Sequence, residues 1–582
     1  MPSIGDGVKR LYGGCSRRIN RSLAALALGA ATVAASPPAE ITARTARSGG
    51  PVDPDQARVT LDTLDLAIEV FPERRAIAGT ATLVFTARAE VTRLPIDLDR
   101  NLATRAVSID GRPLPASAWR NPDGRLTIEL PQAVPAGRTL TARIDYAGTP
   151  RAALRAPWDG GFVWSRTKDN RPWIATAVQG EGCDLLWPCI DSPSFEPKSA
   201  ELHITVPRGL AAPSNGVLRR VEPLPDGRTT WHWSAKHPTL YGIALNIGPY
   251  VEMKGEFASR FGNTIPLRYW HLSGGKAQAG GLFAEFAPTL DFFESVIGPY
   301  PFGDEKVGVV ETPHLGMEHQ TINAYGNAYR KAPEGFDWLF HHEFAHEWFA
   351  NQMTVADWDD MWLHEGYATY MQPLYGRWRE GDARYLAMLL KQREAIVNAA
   401  PIVSGRARTE EEVYDADKGG PANDIYYKGS WVLHTLRGLI GDAAFFDVTR
   451  RIVYGRPDPR PGNFAPRYAT TKEYRALVDR VTGRDHGWFF DVYLDHAALP
   501  DLVATRSGDT LTLAWVVPGG LRFPMPVEVE VDGRVTRLAM DGGRASLRVP
   551  ATAHVVLDPM ARVLRRSPAI EATQTQARAV RP

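Results

Sequence analysis

Residues 342–370 read HEFAHEWFANQMTVADWDDMWLHEGYATY. The stretch opens with HExxH, here His342, Glu343 and His346. On a helix, residues i and i+4 share a face, so both imidazoles reach one metal ion while Glu343, about 100° round the axis, points at the edge of the site. Zinc suits nitrogen ligands at about 2.0–2.1 Å, and a catalytic zinc keeps one position open for water, so a third protein ligand is needed. Glu365 follows His346 after 18 intervening residues, inside Trp362-Leu363-His364-Glu365-Gly366-Tyr367, which reads as a second helix. Two antiparallel helices joined by a loop bring this carboxylate back to the histidines. His341 and His364 adjoin the ligands but face other directions on their helices, so both read as supporting residues. The plainer alternative, two core histidines and a solvated glutamate, leaves the placing of Glu365 without a reason.

Outward from this pair, further helical stretches are predicted over 335–351, 362–379, 383–398 and 428–440. Upstream the texture differs. Leu64, Leu66, Ile68 and Val70 alternate with Asp65, Ala67 and Glu69, the period of two expected of a strand with one buried face. Turn signals at Asp110-Gly111, Pro122-Asp123-Gly124 and Asp226-Gly227 punctuate short apolar runs up to about Tyr250. Beyond Pro500 alternation returns, with Val527, Val529 and Val531 interleaving with Glu528 and Glu530 before Asp532-Gly533 turns the chain. The fold class is therefore multidomain α+β: an N-terminal β domain over 56–255, a mixed domain over 256–500 and a small β domain over 501–565. Residues 36–55 are rich in Pro, Ala, Arg and Gly and read as a linker; the polar stretch 566–582 lacks a pattern and is expected to be a disordered tail.

Length and composition narrow the class. At 582 residues, 44% hydrophobic and 23% charged, the chain is neither a disordered polypeptide nor a multi-span membrane protein. With 67 Lys and Arg against 66 Asp and Glu, its net charge of +1 gives no field that would gather nucleic acid. A basic segment runs into SLAALALGAATVAAS, and this order reads as a signal peptide over 1–35. The apolar run is far short of the roughly 20 residues that span a bilayer, so no stable membrane anchor is expected, and the protein is read as exported, periplasmic or secreted. Ser16-Arg17-Arg18 hints at twin-arginine export, but Asn20 stands where that signal usually has a hydrophobic residue. Cys183 and Cys189 are close enough for a disulfide in an oxidising compartment; two buried thiols are the alternative.

Across its whole length, 342–370 resembles the metal-binding helix pair of the M1-type zinc aminopeptidases, whose signature is HExxH, 18 residues, then Glu. The resemblance implies one zinc ion on His342, His346 and Glu365, with Glu343 as catalytic base. Leu315-Gly316-Met317-Glu318-His319 resembles the family's GxMEN element, which implies that Glu318 binds the free α-amine of the substrate. Leu315 and His319 depart from that pattern and bear on local strand contacts and the first specificity pocket. Gln179-Gly180-Glu181, followed by Trp187-Pro188-Cys189-Ile190-Asp191, resembles the N-domain loop whose glutamate or glutamine is the second amine anchor. Glu181 is taken as the candidate, with a surface-loop carboxylate as the alternative. Tyr426-Tyr427-Lys428-Gly429 resembles the YxKG element, and spacing to Lys428-Gly429 favours Tyr426 as the hydroxyl that donates to the oxyanion.

The resemblance covers about residues 55–565. It implies a saddle-like N-terminal β-sheet domain, a thermolysin-like mixed α/β zinc catalytic domain and a small C-terminal β-sandwich, a short form without the family's large helical C-terminal domain. The implied activity is removal of the N-terminal residue from peptides with a free amine. Two alternatives stay open: a thermolysin-type zinc endopeptidase, which Glu318, Glu181 and YxKG speak against, and a catalytically silent peptide-binding module, which the filled motif positions speak against. The preferred N-terminal residue is not legible at this stage.

Overall fold

The alternation at Leu64 becomes the strand Val59–Phe71, whose Leu64, Leu66, Ile68 and Val70 are buried, in a computed structural model that describes residues 40–330 and 332–579. This strand pairs antiparallel with Ala76–Ala87 and parallel with Ser199–Val206 near the middle of an eight-stranded sheet. The sheet runs Val217–Pro223, Thr229–Lys236, Ser199–Val206, Val59–Phe71, Ala76–Ala87, Thr139–Gly148, Leu102–Ile109, Arg112–Pro113. A second, three-stranded sheet of Gly161–Arg166, Pro172–Ala177 and Asn246–Ile247 delivers the loop that starts at Val178 to the cleft. In that loop Cys183 and Cys189 form a disulfide, with Cα atoms 6.3 Å apart.

The catalytic domain begins a few residues before the expected boundary at 256. Tyr250–Ala258 pairs along its full length with Thr264–Leu272, and a hairpin cannot be divided between two domains. These strands open a five-stranded sheet continued by Val307–Glu311, Asn323–Tyr325 and the edge strand Gly316–Met317. The helix Phe286–Val296 packs beneath the site, with Phe286 stacked on Phe340 at 4.8 Å and Phe293 on Trp348 at 4.7 Å.

The helix expected over 335–351 is regular only from Trp338 to Ala345. Asp337 caps it, accepting from the Leu339 and Phe340 amides at 3.1 Å each. A π-type turn, Glu347–Gln352, follows, and Phe349 leaves helical geometry there (φ −114°, ψ 48°). The second helix, Trp362–Glu380, runs as predicted. The C-terminal domain consists of two three-stranded sheets, Asp501–Ser507 with Thr510–Val516 and Arg544–Arg548, and Val527–Val531 with Arg534–Leu538 and Val555–Leu557.

Two segments expected to lack order are packed. In place of a linker, residues 40–50 form a strap in which Thr45 and Ser48 are buried. Arg44 pairs with Asp123 at 3.0 Å, the Gly49 amide donates to Asp191 Oδ2 at 3.3 Å, and the Ser48 carbonyl accepts from the Glu410 amide at 3.2 Å. Polar and backbone partners on both domains hold this strap, and hydrophobic periodicity does not report such partners. In place of a disordered tail, Pro568–Ala579 is a helix. Proline suits its first turn, Arg566 pairs with Glu571 at 2.8 Å, and Gln574 donates to the Glu394 and Ile396 carbonyls at 2.8 Å each. The expected signal peptide lies outside the described residues. Among those described, no helix is long and apolar enough to cross a membrane.

Candidate active site

The capped helix sets His342 and His346 on one face, their Nε2 atoms 3.3 Å apart. Glu365 Oε2 lies 3.3 Å from His342 Nε2 and 3.5 Å from His346 Nε2. A tetrahedral ion with bonds of about 2.0–2.1 Å spaces its ligand atoms by about 3.3–3.4 Å. The three donors therefore already mark one face of a zinc-sized tetrahedron. Glu365 Oε2 is buried and has no well-directed protein donor, as an acceptor reserved for an ion would be. His346 Nδ1 donates to the Phe349 carbonyl at 3.1 Å, which leaves the Nε2 lone pair facing the site. The irregular turn after Ala345 supplies that carbonyl.

Charge points the same way. Burial would lower the His346 pKa, but the carboxylates of Glu365, Glu318 and Glu343 outweigh it and push the imidazole up to about 10. Burial would raise Glu365, but His346 and His342 hold it below the usual carboxylate range. The cluster draws positive charge into its centre.

Backbone contact between helices sets the next distance. A Cβ on Gly429 would lie 3.0 Å from the Gly366 Cα, and one on Gly366 would lie 3.1 Å from the Gly429 Cα. Only glycines allow this approach of Trp362–Glu380 to Tyr427–Ile440. It fixes Glu365, next to Gly366, relative to Tyr426. Lys428 anchors the same turn, donating to the His496 and Ala497 carbonyls at 2.9 Å each. The Tyr426 ring stacks on His342 at 6.0 Å, and its hydroxyl is 2.9 Å from that of Tyr414.

Glu343 lies under the edge strand. A Cβ on Gly316 would come within 2.3 Å of Glu343 Oε1, so the Gly-Met-Glu run passes directly over this carboxylate. Burial first, then the charges of Glu318 and Glu365, raise its pKa well above the usual range. Glu318, 4% exposed, accepts from Gln179 Nε2 at 2.7 Å and from the Tyr241 hydroxyl at 3.0 Å. Glu318, Glu343 and His346 each present a ligand-type atom within 4.8 Å of the others.

Glu181 does not join Glu318. Arg151 Nη1 takes its carboxylate at 2.7 Å, and the Gly160 amide donates to it as well. Gln179, two residues earlier, occupies the place beside Glu318. Glu181, the expected second anchor, is instead claimed by Arg151, which is remote from it in sequence. Tyr241 and Tyr414 are further site residues that no motif marked. His319, which departs from the motif, is fully buried edge-to-face with His314 at 6.5 Å, and burial, aided by His314, lowers it to about 3. His341 and His364 are buried, the former stacked on Tyr375 at 4.7 Å, and neither joins the triad.

Two family models match the chain: the peptidase M1 N-terminal domain over 61–239 and the peptidase family M1 domain over 315–454. Leucine aminopeptidase 2 of Aspergillus fumigatus is 25% identical over 396 residues, 65% of this chain and 58% of the relative. Aminopeptidase N of Haemonchus contortus is 26% identical over 314 residues, 47% of this chain and 30% of the relative. The chain thus spans less than two thirds of the length of these curated relatives. An M1 zinc metallopeptidase of Deinococcus radiodurans superposes with a TM-score of 0.64 at 26% identity, covering 76% of this chain and 96% of that one. A two-domain M1 zinc metallopeptidase with L-tryptophan bound gives 0.64 at 25% identity, covering the same shares.

Proposed function

The chain belongs to the M1 peptidase family, and on that premise we propose that it is a zinc-dependent aminopeptidase, hydrolysing the first peptide bond of peptides with a free α-amine. The observation that carries the reading is Glu318, held by Gln179 and Tyr241 a few ångströms from the His342–His346–Glu365 triad. An exopeptidase needs a countercharge at a fixed distance from its metal, and an ammonium on a buried carboxylate is a strong charge-assisted contact. An internal peptide segment would leave that carboxylate desolvated and unpaired, which disfavours endopeptidase action.

His342, His346 and Glu365 would hold the zinc. When bound, zinc lowers the pKa of a water and polarises the scissile carbonyl. Glu343 takes the proton from that water and returns it to the leaving amine. The Tyr426 hydroxyl donates to the oxygen on which negative charge develops. Glu318 and the Gln179 amide oxygen hold the substrate ammonium and so place the first peptide bond over the triad. In Glu318→Gln, metal content should stay at wild-type level while kcat/KM on free-amine substrates falls by about thirtyfold or more. Unchanged kinetics would remove Glu318 from the amine site.

Export is part of the same proposal. The order of basic, apolar and small residues over 1–35 supports it, as does the Cys183–Cys189 disulfide, since such bonds persist mainly in oxidising compartments. N-terminal sequencing of protein recovered from the periplasm or medium tests this; full-length protein confined to the cytoplasm would refute it.

A further inference from the structure

The short helix Glu410–Tyr414 walls the same cleft. Its last residue bonds Tyr426 through paired hydroxyls at 2.9 Å. Its first residue donates its amide to the Ser48 carbonyl at 3.2 Å, and Ser48 Oγ donates to the Gln179 carbonyl at 3.5 Å. Glu410 therefore stands on the amine-anchor side of the metal. It is 6% exposed. Burial, then the charges of Glu181, Glu411, Glu318 and Glu365, raise its carboxyl well above the usual range.

The neighbouring carboxylates are satisfied. Glu318 has Gln179 and Tyr241, Glu181 has Arg151 and the Gly160 amide, and Asp159 accepts from the Leu154 and Arg155 amides at 2.7 and 2.5 Å. Glu410 alone of these four has no hydrogen bond or ion pair to its carboxylate among the described residues. A first-turn glutamate is ordinary when solvated. At 6% exposure and with no protein donor, this carboxylate is left to water or to an incoming cation.

We infer that Glu410 selects a basic first residue, binding the lysine ammonium or arginine guanidinium of the residue whose α-amine Glu318 and Gln179 hold. This deepens, and rests on, the aminopeptidase reading. Arg151 is already committed to Glu181 and Asp159, so the pocket keeps a net negative charge, and an acidic first residue would be repelled.

The test has two arms, each run with Glu410 intact and as Glu410→Gln. Zinc-loaded protein is assayed on Arg-, Lys-, Leu- and Ala-p-nitroanilide, and zinc-loaded Glu343→Ala protein is titrated calorimetrically with L-arginine and L-leucine. Basic residues should be favoured over leucine by at least about thirtyfold in kcat/KM and in affinity, and Glu410→Gln should bring both ratios to within about threefold of unity. Glu410→Asp, which keeps the charge but draws it back, should retain part of the preference. A preference for leucine with Glu410 intact overturns the assignment, as does a basic preference that survives Glu410→Gln in protein whose thermal melt matches the parent. Arginine-selective binding without hydrolysis of any substrate would uphold Glu410 as a cation-binding residue and sink the aminopeptidase reading instead.

Discussion

Tyr426 has its hydroxyl beside that of Tyr414 and its ring against His342, so its position is set from two sides before substrate arrives. A donor preorganised in this way typically contributes about 100 to 1,000-fold to the rate. Tyr426→Phe should lower kcat by that factor with zinc content unchanged; a kcat within about twofold of wild type would place the oxyanion donor elsewhere. The gathering of residues was legible wherever residue type and spacing carry it, as with His342, His346 and Glu365. It was hidden wherever a distant neighbour decides. Glu181 and Gln179 are both competent by type, and only the folded position of Arg151 separates them. Glu410 is the same case reversed: nothing in Thr409-Glu410-Glu411-Glu412 tells the buried glutamate from its neighbours, and only folding buries it.

At the scale of elements, the helix pair was readable because its apolar pattern and metal ligands repeat at helical spacing. Its irregular end was not. Ala345 closes the regular helix and Phe349 breaks from it so that a carbonyl meets His346, a tertiary demand with no periodic signature. The strap over 40–50 and the helix Pro568–Ala579 were missed for a related reason, since polar contacts to other segments hold them. The helix Tyr427–Ile440 is tied to the C-terminal domain by His434, whose Nδ1 accepts from Tyr385 at 2.7 Å while Nε2 donates to the Ala561 carbonyl at 3.0 Å. Burial, with Arg437 nearby, lowers this imidazole to about 4 from its ordinary 6.5. Below 6.5 the unfolded chain takes up a proton that the folded one refuses, so stability is full above that pH and declines as pH falls toward 4. This single group costs up to about 1.4 kcal/mol per pH unit in that window. His434→Gln should therefore lose less melting temperature than wild type between pH 7 and pH 4.5; equal losses would clear His434 of that role.

For the whole molecule, Glu318 and its two hydrogen-bond partners, the proposed amine anchor, are drawn from both domains. Gln179 and Tyr241 come from the N-terminal half and Glu318 from the edge of the catalytic sheet, and the strap, through Ser48, spans the Gln179 loop and Glu410. Domain order and class were visible in the change from alternating to helical patterns. The boundary expected at 256 fell too late because the strand Tyr250–Ala258 runs through it. The proposed reaction is metal-dependent hydrolysis that requires a free α-amine. The most direct test is to assay aminoacyl-p-nitroanilides beside their N-acetylated counterparts, with and without a zinc chelator. Cleavage of the free-amine set alone, abolished by the chelator and restored by zinc, is the predicted result. Equal cleavage of the acetylated set, or cleavage that the chelator does not touch, would contradict it.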